Sequence, residues 1–163
     1  MPVPREVVIN TGPLLALAAA GELAVLPKVF TRVWVPGEVR KEILAGGKTE
    51  FAREEILGAT WLEVPREPLA VSPFLLSVLD PGEAAVVATA LTRGIGTVCI
   101  DEVLGRRYAR LHGLGVTGSL GVLLQAKRSG APLHVERAIA RMKARGIWIG
   151  LELEKEALRL AGE

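Results

Sequence analysis

Val98-Cys99-Ile100-Asp101-Glu102 is an apolar run that stops abruptly at two acids, and a helical pattern begins directly after it at Val103. Open α/β sheets bind ligands just outside the carboxyl ends of their strands, so an acid at that point is placed to hold a metal ion. The first apolar run, Val7-Val8-Ile9, stops in the same way, but at the neutral amide Asn10. Outward from these two runs, short β-like and helical segments alternate. Val7–Ile9, Val33–Val35, Trp61–Val64, Thr97–Ile100, Gly115–Thr117 and Ile147–Ile149 read as strands. Helical readings fall on Gly12–Ala20, Leu23–Phe30, Gly37–Leu44 with Pro36 at its first position, Phe51–Leu57, and a strong helix opened by Asp80-Pro81-Gly82-Glu83 and running to Thr92. Val103–His112, Ser119–Arg128, Leu133–Arg145 and Leu153–Leu160 complete the set. Strands that alternate with helices call for an α/β fold with a parallel sheet covered on both faces. Pro65 to Pro73, with three prolines, is the least structured stretch.

The chain of 163 residues is long enough for one domain, 1–163, with a substantial core, and half of its residues are hydrophobic. Its single cysteine, Cys99, excludes an internal disulfide framework and points to a reducing, cytoplasmic compartment. His112 and His134 are isolated, and no Cys/His cluster has zinc spacing. The apolar stretch Leu14–Ala20 is too short for a bilayer and follows the break Asn10-Thr11-Gly12-Pro13, so no membrane role is expected. The formal charge of +2 conceals an asymmetry. Residues 1–103 carry 9 basic and 13 acidic side chains, whereas residues 104–145 carry 9 basic and 1 acidic. A basic segment beside a set of acids suits a site that processes a polyanion, the bases drawing phosphates and the acids holding cations.

Five positions carry the candidate chemistry: Asn10, Glu42, Glu83, Asp101 and Glu102. They fall at strand ends or in the first turns of helices that follow strands, where a doubly wound sheet can gather them on one edge. Clustered carboxylates bind Mg²⁺ or Mn²⁺, hard cations that prefer oxygen, and two such ions can activate water against a phosphodiester. Structural readings stand beside these. Asp101 is equally suited to capping a helix. Asp80-x-x-Glu83 has the form of a capping box, which favours a structural role for Asp80 outright and for Glu83 in part. Glu42 alone reads as a solvated helix residue, and Asn10 as a turn residue. The basic residues Arg106, Arg107, Arg110, Lys127, Arg128, Arg137, Arg141, Lys143 and Arg145 suit phosphate contact, with Arg137, Arg141 and Arg145 on one helical face. Aromatics are scarce, so base stacking is expected to play little part. Gly113-x-Gly115-x-x-Gly118 matches a dinucleotide-binding pattern, but its glycines flank and interrupt the strand expected at Gly115–Thr117 instead of following it.

In order and spacing, several segments together resemble the PIN-domain family of metal-dependent ribonucleases. They are Val8-Ile9-Asn10-Thr11-Gly12-Pro13-Leu14-Leu15, Val35-Pro36-Gly37-Glu38-Val39-Arg40-Lys41-Glu42, Leu79-Asp80-Pro81-Gly82-Glu83-Ala84, Ile100-Asp101-Glu102, and Gly105-Arg106-Arg107 through Thr117-Gly118-Ser119-Leu120-Gly121-Val122-Leu123. The resemblance covers most of the chain and is closest to a prokaryotic subfamily of nucleic-acid-binding PIN proteins. It implies a three-layer α/β/α fold with a central parallel sheet and an acidic edge that binds Mg²⁺ or Mn²⁺ to cleave RNA. Glu42, Glu83 and Asp101 match the family's acidic positions, Thr11 its small hydroxyl residue, and Glu102 is an auxiliary acid. Many relatives are toxins of VapC-type toxin–antitoxin pairs and form homodimers, which implies a homodimer and an antitoxin-like protein partner here. The departure is Asn10, where the family pattern has Asp. Its carbonyl oxygen can ligate a cation only without charge, so cation affinity and water activation fall. Three readings follow: RNA binding with little cleavage, weak cleavage through the remaining acids, or an introduced change that silences a toxic nuclease.

Overall fold

The computed structural model describes residues 5–163. Its sheet has five strands, all parallel, in the order β3-β2-β1-β4-β5, where β1 is Glu6–Ile9, β2 Arg32–Trp34, β3 Leu62–Glu63, β4 Thr97–Cys99 and β5 Gly115–Thr117. Among the described residues ten α-helices surround it: α1 (Thr11–Ala19), α2 (Leu26–Val29), α3 (Gly37–Leu44), α4 (Glu50–Gly58), α5 (Pro73–Val78), α6 (Pro81–Arg93), α7 (Val103–Leu111), α8 (Ser119–Arg128), α9 (Val135–Ala144) and α10 (Leu151–Ala161). The protein is a three-layer α/β/α sandwich, as the alternation of strands and helices requires. α6 crosses β1 and β4 and packs against α3, α5 and α7, while α8, α9 and α10 pack on one another, and α8 and α9 also on α1. Val7, Val8, Ile9, Val98 and Cys99 are fully buried, which explains why their runs are continuously apolar rather than alternating.

The chain runs outward from β1 through β2 to β3, then returns to the other side of β1 for β4 and β5. Strand order therefore reverses between β1 and β4, where Val8 pairs with Val98 and Ile9 with Cys99. The two runs that end in Asn10 and in Asp101-Glu102 are thus neighbours, and a crevice opens at their carboxyl ends. The Asn10 amide donates to the Cys99 carbonyl at 3.0 Å, which extends this contact to the last ordered position of the sheet.

Three expectations are corrected. Ile147–Ile149 is not a strand. The Ile147 amide closes the end of α9 by donating to the Met142 carbonyl, and β5 pairs only with β4. Leu23–Phe30 divides into a 3₁₀ turn and the short α2, with Pro27 inside the first turn of α2. Pro36 is the residue before α3 and not its first position. One element was not foreseen: α5 emerges at the end of the proline-rich stretch, where Ser72 caps it by accepting from the Leu75 amide at 3.2 Å.

Among the described residues no single helix is long and apolar enough to cross a membrane. The apolar α1 and the segment that follows it are bent by 115° relative to each other, and their large side chains lie in the core.

An acidic pocket at the strand switch point

Asn10 follows β1 as the residue that opens α1, yet its side chain caps nothing. It is buried, at 4% exposure, and its Nδ2 reaches only Glu102 Oε2 at 3.5 Å. Its Oδ1 has no hydrogen-bond partner at all. A buried, unsatisfied carbonyl costs about 1–3 kcal/mol, so the orphan marks a position that is not optimised for the isolated chain.

What surrounds this oxygen is equally unusual. A Cβ built on Gly82 would sit 3.2 Å from Glu42 Oε2, 3.4 Å from Asn10 Oδ1 and 3.4 Å from Asp80 Oδ1. Three oxygens from three separate elements therefore line the space left by one missing methyl. No two of them can be farther apart than twice those distances, which is inside the roughly 8 Å that one or two Mg²⁺ ions can bridge. Thr11 fixes one of the three by donating its hydroxyl to Glu42 Oε2 at 2.7 Å.

Glu83 comes from the first turn of α6 and is buried, at 5% exposure. Asp80 accepts from the Glu83 amide at 2.8 Å, so half of the capping box is made. The reciprocal bond, from the Asp80 amide to the Glu83 carboxylate, is not formed, and the Glu83 carboxyl lies against Gly105 instead, its Cδ 3.4 Å from where a Cβ would be. Burial, then the negative charges of Asp80, Glu102 and Glu42, push that carboxyl up to about 7. Glu102 is also raised, first by burial and then by Asp101 and Asp80. It lies against the first turn of α1, with Oε1 3.0 Å from where a Gly12 Cβ would be. Among the described residues no lysine or arginine forms an ion pair with Glu42, Asp80, Glu83 or Glu102.

Asp101 is placed differently. Its Oδ1 accepts the Ser119 amide at 2.8 Å, so it caps α8 across the β4–β5 edge rather than the helix that follows it in sequence. Arg106 approaches the same spot, and its Nη1 donates to the Ile100 carbonyl at 2.9 Å. Asn10, Thr11, Glu42, Glu83 and Glu102 are therefore brought together, and Asp101, which gives Oδ1 to the start of α8, acts on the set through its charge on Glu102. Asp80, assigned only to capping by the sequence, contributes an oxygen to the pocket as well. The available signal was Gly82 beside it, in a helical turn with ordinary backbone angles, where only the lack of a side chain leaves the pocket open.

The basic candidates do not form one stripe. Arg141 donates to the Ala20 carbonyl at 3.2 Å, Lys127 pairs with Glu163 at 2.6 Å, Lys143 pairs with Glu154, and Arg145 stacks on Phe51 at 5.2 Å. These four serve the packing of α8, α9 and the N-terminal helices. Arg107, Arg110, Arg128 and Arg137 form no ion pair among the described residues. The glycine decoy is resolved too: Gly113 is a left-handed helix end at φ 79°, Gly115 lies within β5, and Gly118 precedes α8.

The fold is a three-layer α/β/α sandwich with an acid-lined crevice at its strand switch point. A family model described as a PIN domain matches residues 6–163, and the chain belongs to the PIN-domain family. No curated protein and no solved structure matches it.

The family's metal sets a test for this pocket. Among the described residues no group of three or more His, Cys, Asp or Glu side chains is arranged to hold a metal ion. Asn10 stands among the acids, and Asp101 gives one oxygen to the Ser119 amide. The oxygens present, including the orphaned Asn10 Oδ1, still fit a hard cation of the Mg²⁺ type, which is commonly held by one or two carboxylates and keeps several waters.

Proposed function

We propose that this protein is a metal-dependent endoribonuclease of PIN type whose cation site is weakened by Asn10. The observation that carries this reading is the buried, unpartnered Asn10 carbonyl oxygen, which faces Glu42 and Asp80 oxygens with no protein donor to satisfy it. Only a cation or an ordered water supplies what that oxygen lacks. Glu42 and Asn10 Oδ1 would hold Mg²⁺ or Mn²⁺. When bound, such an ion supplies charge neutralisation at the phosphate and a more acidic water. Thr11 fixes the rotamer of Glu42 through its 2.7 Å bond to Oε2, the oxygen that lines the pocket beside Gly82. Glu83, with its carboxyl near neutrality, can take or release a proton at its side-chain oxygen around pH 7. Arg107 and Arg110 on α7, which starts at the pocket, would draw the RNA backbone.

Cleavage of RNA with Mn²⁺ by the wild type and by Asn10→Asp, each with an EDTA control, tests the reading. Weak Mn²⁺-dependent cleavage that rises about 10-fold or more in Asn10→Asp supports it, because a charged ligand is then restored. No cleavage by either form overturns it. The neutral amide at position 10 specifically favours a second reading, a catalytically silent nucleic-acid-binding or partner-binding PIN protein. RNA binding without cleavage in both forms would establish that one.

A further inference from the structure

A groove of about 560 Å³ runs beside β5, between α7, the start of α8 and α10. That volume suits a group the size of a nucleoside. Its lining includes Trp148 as well as Asp101 and Arg106, and Asp101 adjoins Glu102 of the acidic pocket. Trp148 is 87% exposed, whereas Trp34 is buried and Trp61 half-buried. A tryptophan that open contributes nothing to the core. It is nonetheless braced: a Cβ on Gly150 would lie 3.3 Å from its Cη2 and 3.9 Å from Cζ2 and Cζ3, so the six-membered ring is seated on the Gly150 backbone. The two lips of the groove differ in charge. α7 carries Arg106, Arg107 and Arg110 and no acid. On α10 every acid has a cation: Glu152 pairs with Lys155 at 3.7 Å, Glu154 with Lys143, and Glu156 with Arg159 at 2.6 Å. One lip is therefore strongly positive and the other close to neutral.

We infer that this groove receives an unpaired nucleobase of an RNA strand, stacked on Trp148, while the strand's phosphates follow the α7 lip. A positive lip beside a braced aromatic ring is the pair of elements that single strands require, charge for the backbone and a π-face for the base. The side chains of Val116, Leu120 and Leu124 in the lining carry no hydrogen-bonding groups, so the groove takes the faces of a base without reading its edges. In a duplex both faces of a base are covered by its neighbours, so Trp148 selects single-stranded RNA over double-stranded RNA. It is a specificity residue and not a catalytic one. The scarcity of aromatics argues against stacking along the whole surface, but one exposed tryptophan beside the site is sufficient for one base. Because the groove is lined by Asp101 and Arg106, the stacked nucleotide borders the acidic pocket. The inference rests on the reading of this chain as a protein that engages RNA, and does not require that it cleave RNA.

Anisotropy titrations in EDTA at fixed salt test it without any cleavage. The probes are a single RNA strand of about ten nucleotides, the same strand annealed to its complement, and an abasic ribose-phosphate strand of equal length. Trp148→Ala lowers affinity for the intact single strand about 5- to 150-fold, the worth of one stacked base, and leaves affinity for the duplex and the abasic strand unchanged. Trp148→Phe keeps most of the affinity, because a ring is retained. Matching circular dichroism melts confirm that both variants fold, as the exposure of the side chain requires. An equal loss on all three probes overturns the inference, and so does no loss on any. A wild type that does not bind the single strand, and whose Trp148 is covered instead by another protein chain, also overturns it. The outcome separates from that of the nuclease reading. If no form cleaves RNA with Mn²⁺ but the single strand still depends on Trp148, the cleavage reading falls and this inference stands. If Asn10→Asp cleaves with the same KM whether or not Trp148→Ala is added, the cleavage reading stands and this inference falls.

Discussion

Replacing Asn10 by aspartate exchanges a weak donor for a third negative charge in a pocket that has no positive one. The amide that is lost makes only the 3.5 Å contact to Glu102, so little is removed with it. The oxygen that gains charge shares the space above Gly82 with Glu42 Oε2 and Asp80 Oδ1. At a separation of about 6 Å and an effective permittivity of about 20, each like-charged neighbour costs about 3 kcal/mol. The two neighbours together would cost about 6 kcal/mol, and protonation of the new carboxyl limits the net penalty at pH 8 to about 5 kcal/mol. For a chain of this length that lowers the melting temperature by about 10–20 °C. The sign with pH is fixed. The folded-state pKa of the new acid lies above its unfolded value, so the penalty is complete above the folded pKa and vanishes below about pH 4. Thermal melts of wild type and Asn10→Asp in EDTA at pH 8 and pH 4 measure this directly. Adding Mg²⁺ or Mn²⁺ at pH 8 should then raise the variant's melting temperature more than the wild type's, because only the variant offers a charged central ligand. An Asn10→Asp protein as stable as wild type in EDTA at pH 8 would refute the reasoning, since the oxygens around Gly82 would then not form one electrostatic unit.

Glu83→Gln removes a carboxyl held near 7 without breaking a bond that its side chain makes. Because its folded pKa is raised, the charge costs stability above that value and nothing below the unfolded pKa, so the variant should gain about 2 kcal/mol at pH 8 and match wild type at pH 4 in urea titrations. Gly82→Ala puts a methyl into the space shared by three oxygens. A helical Gly-to-Ala change contributes up to about 1 kcal/mol of stability, so the variant should melt within about 1 kcal/mol of wild type while losing any Mn²⁺-induced stabilisation in the same melts. Arg107→Ala and Arg110→Ala should each reduce the salt dependence of RNA binding by about one phosphate contact in anisotropy titrations. Arg141→Ala, which loses its bond to the Ala20 carbonyl, should leave that slope unchanged and lower the urea midpoint.

The architecture was legible because strands buried on both faces leave an unmistakable mark. Val7–Ile9 and Val98–Ile100 are apolar at every position, each is followed by a polar residue and then a helix, and both fall on central strands. Where marks were weaker, local chemistry misled. Ile147–Ile149 has strand composition, but a strand exists only if a neighbour accepts its ladder, and the end of α9 claims the Ile147 amide first. α5 was hidden because its proline lies at a helix start, where proline is welcome, inside a stretch whose other prolines mark irregular chain.

The candidate site divides the same way. Residue types and their order, read with the family resemblance, were sufficient to nominate Asn10, Thr11, Glu42, Glu83, Asp101 and Glu102, although acids at strand ends and in first helical turns also serve as caps. Sequence also identified the one position where the acidic pattern breaks, Asn10. What it could not decide is which way each carboxylate faces. Asp80 and Asp101 have the same helix-capping chemistry, yet the cap at Asp80 is made to its own helix and leaves its oxygen on the pocket, while Asp101 reaches across to α8. Arg141 and Arg107 are both exposed-looking cations in sequence, but only the packing of α9 on α1 turns one of them into a structural tether. Periodicity and composition act along the chain and so set which elements form. The direction of a side chain, the loss of its water and the charge it meets depend on residues dozens of positions away, and those were settled only when β4 came to lie beside β1.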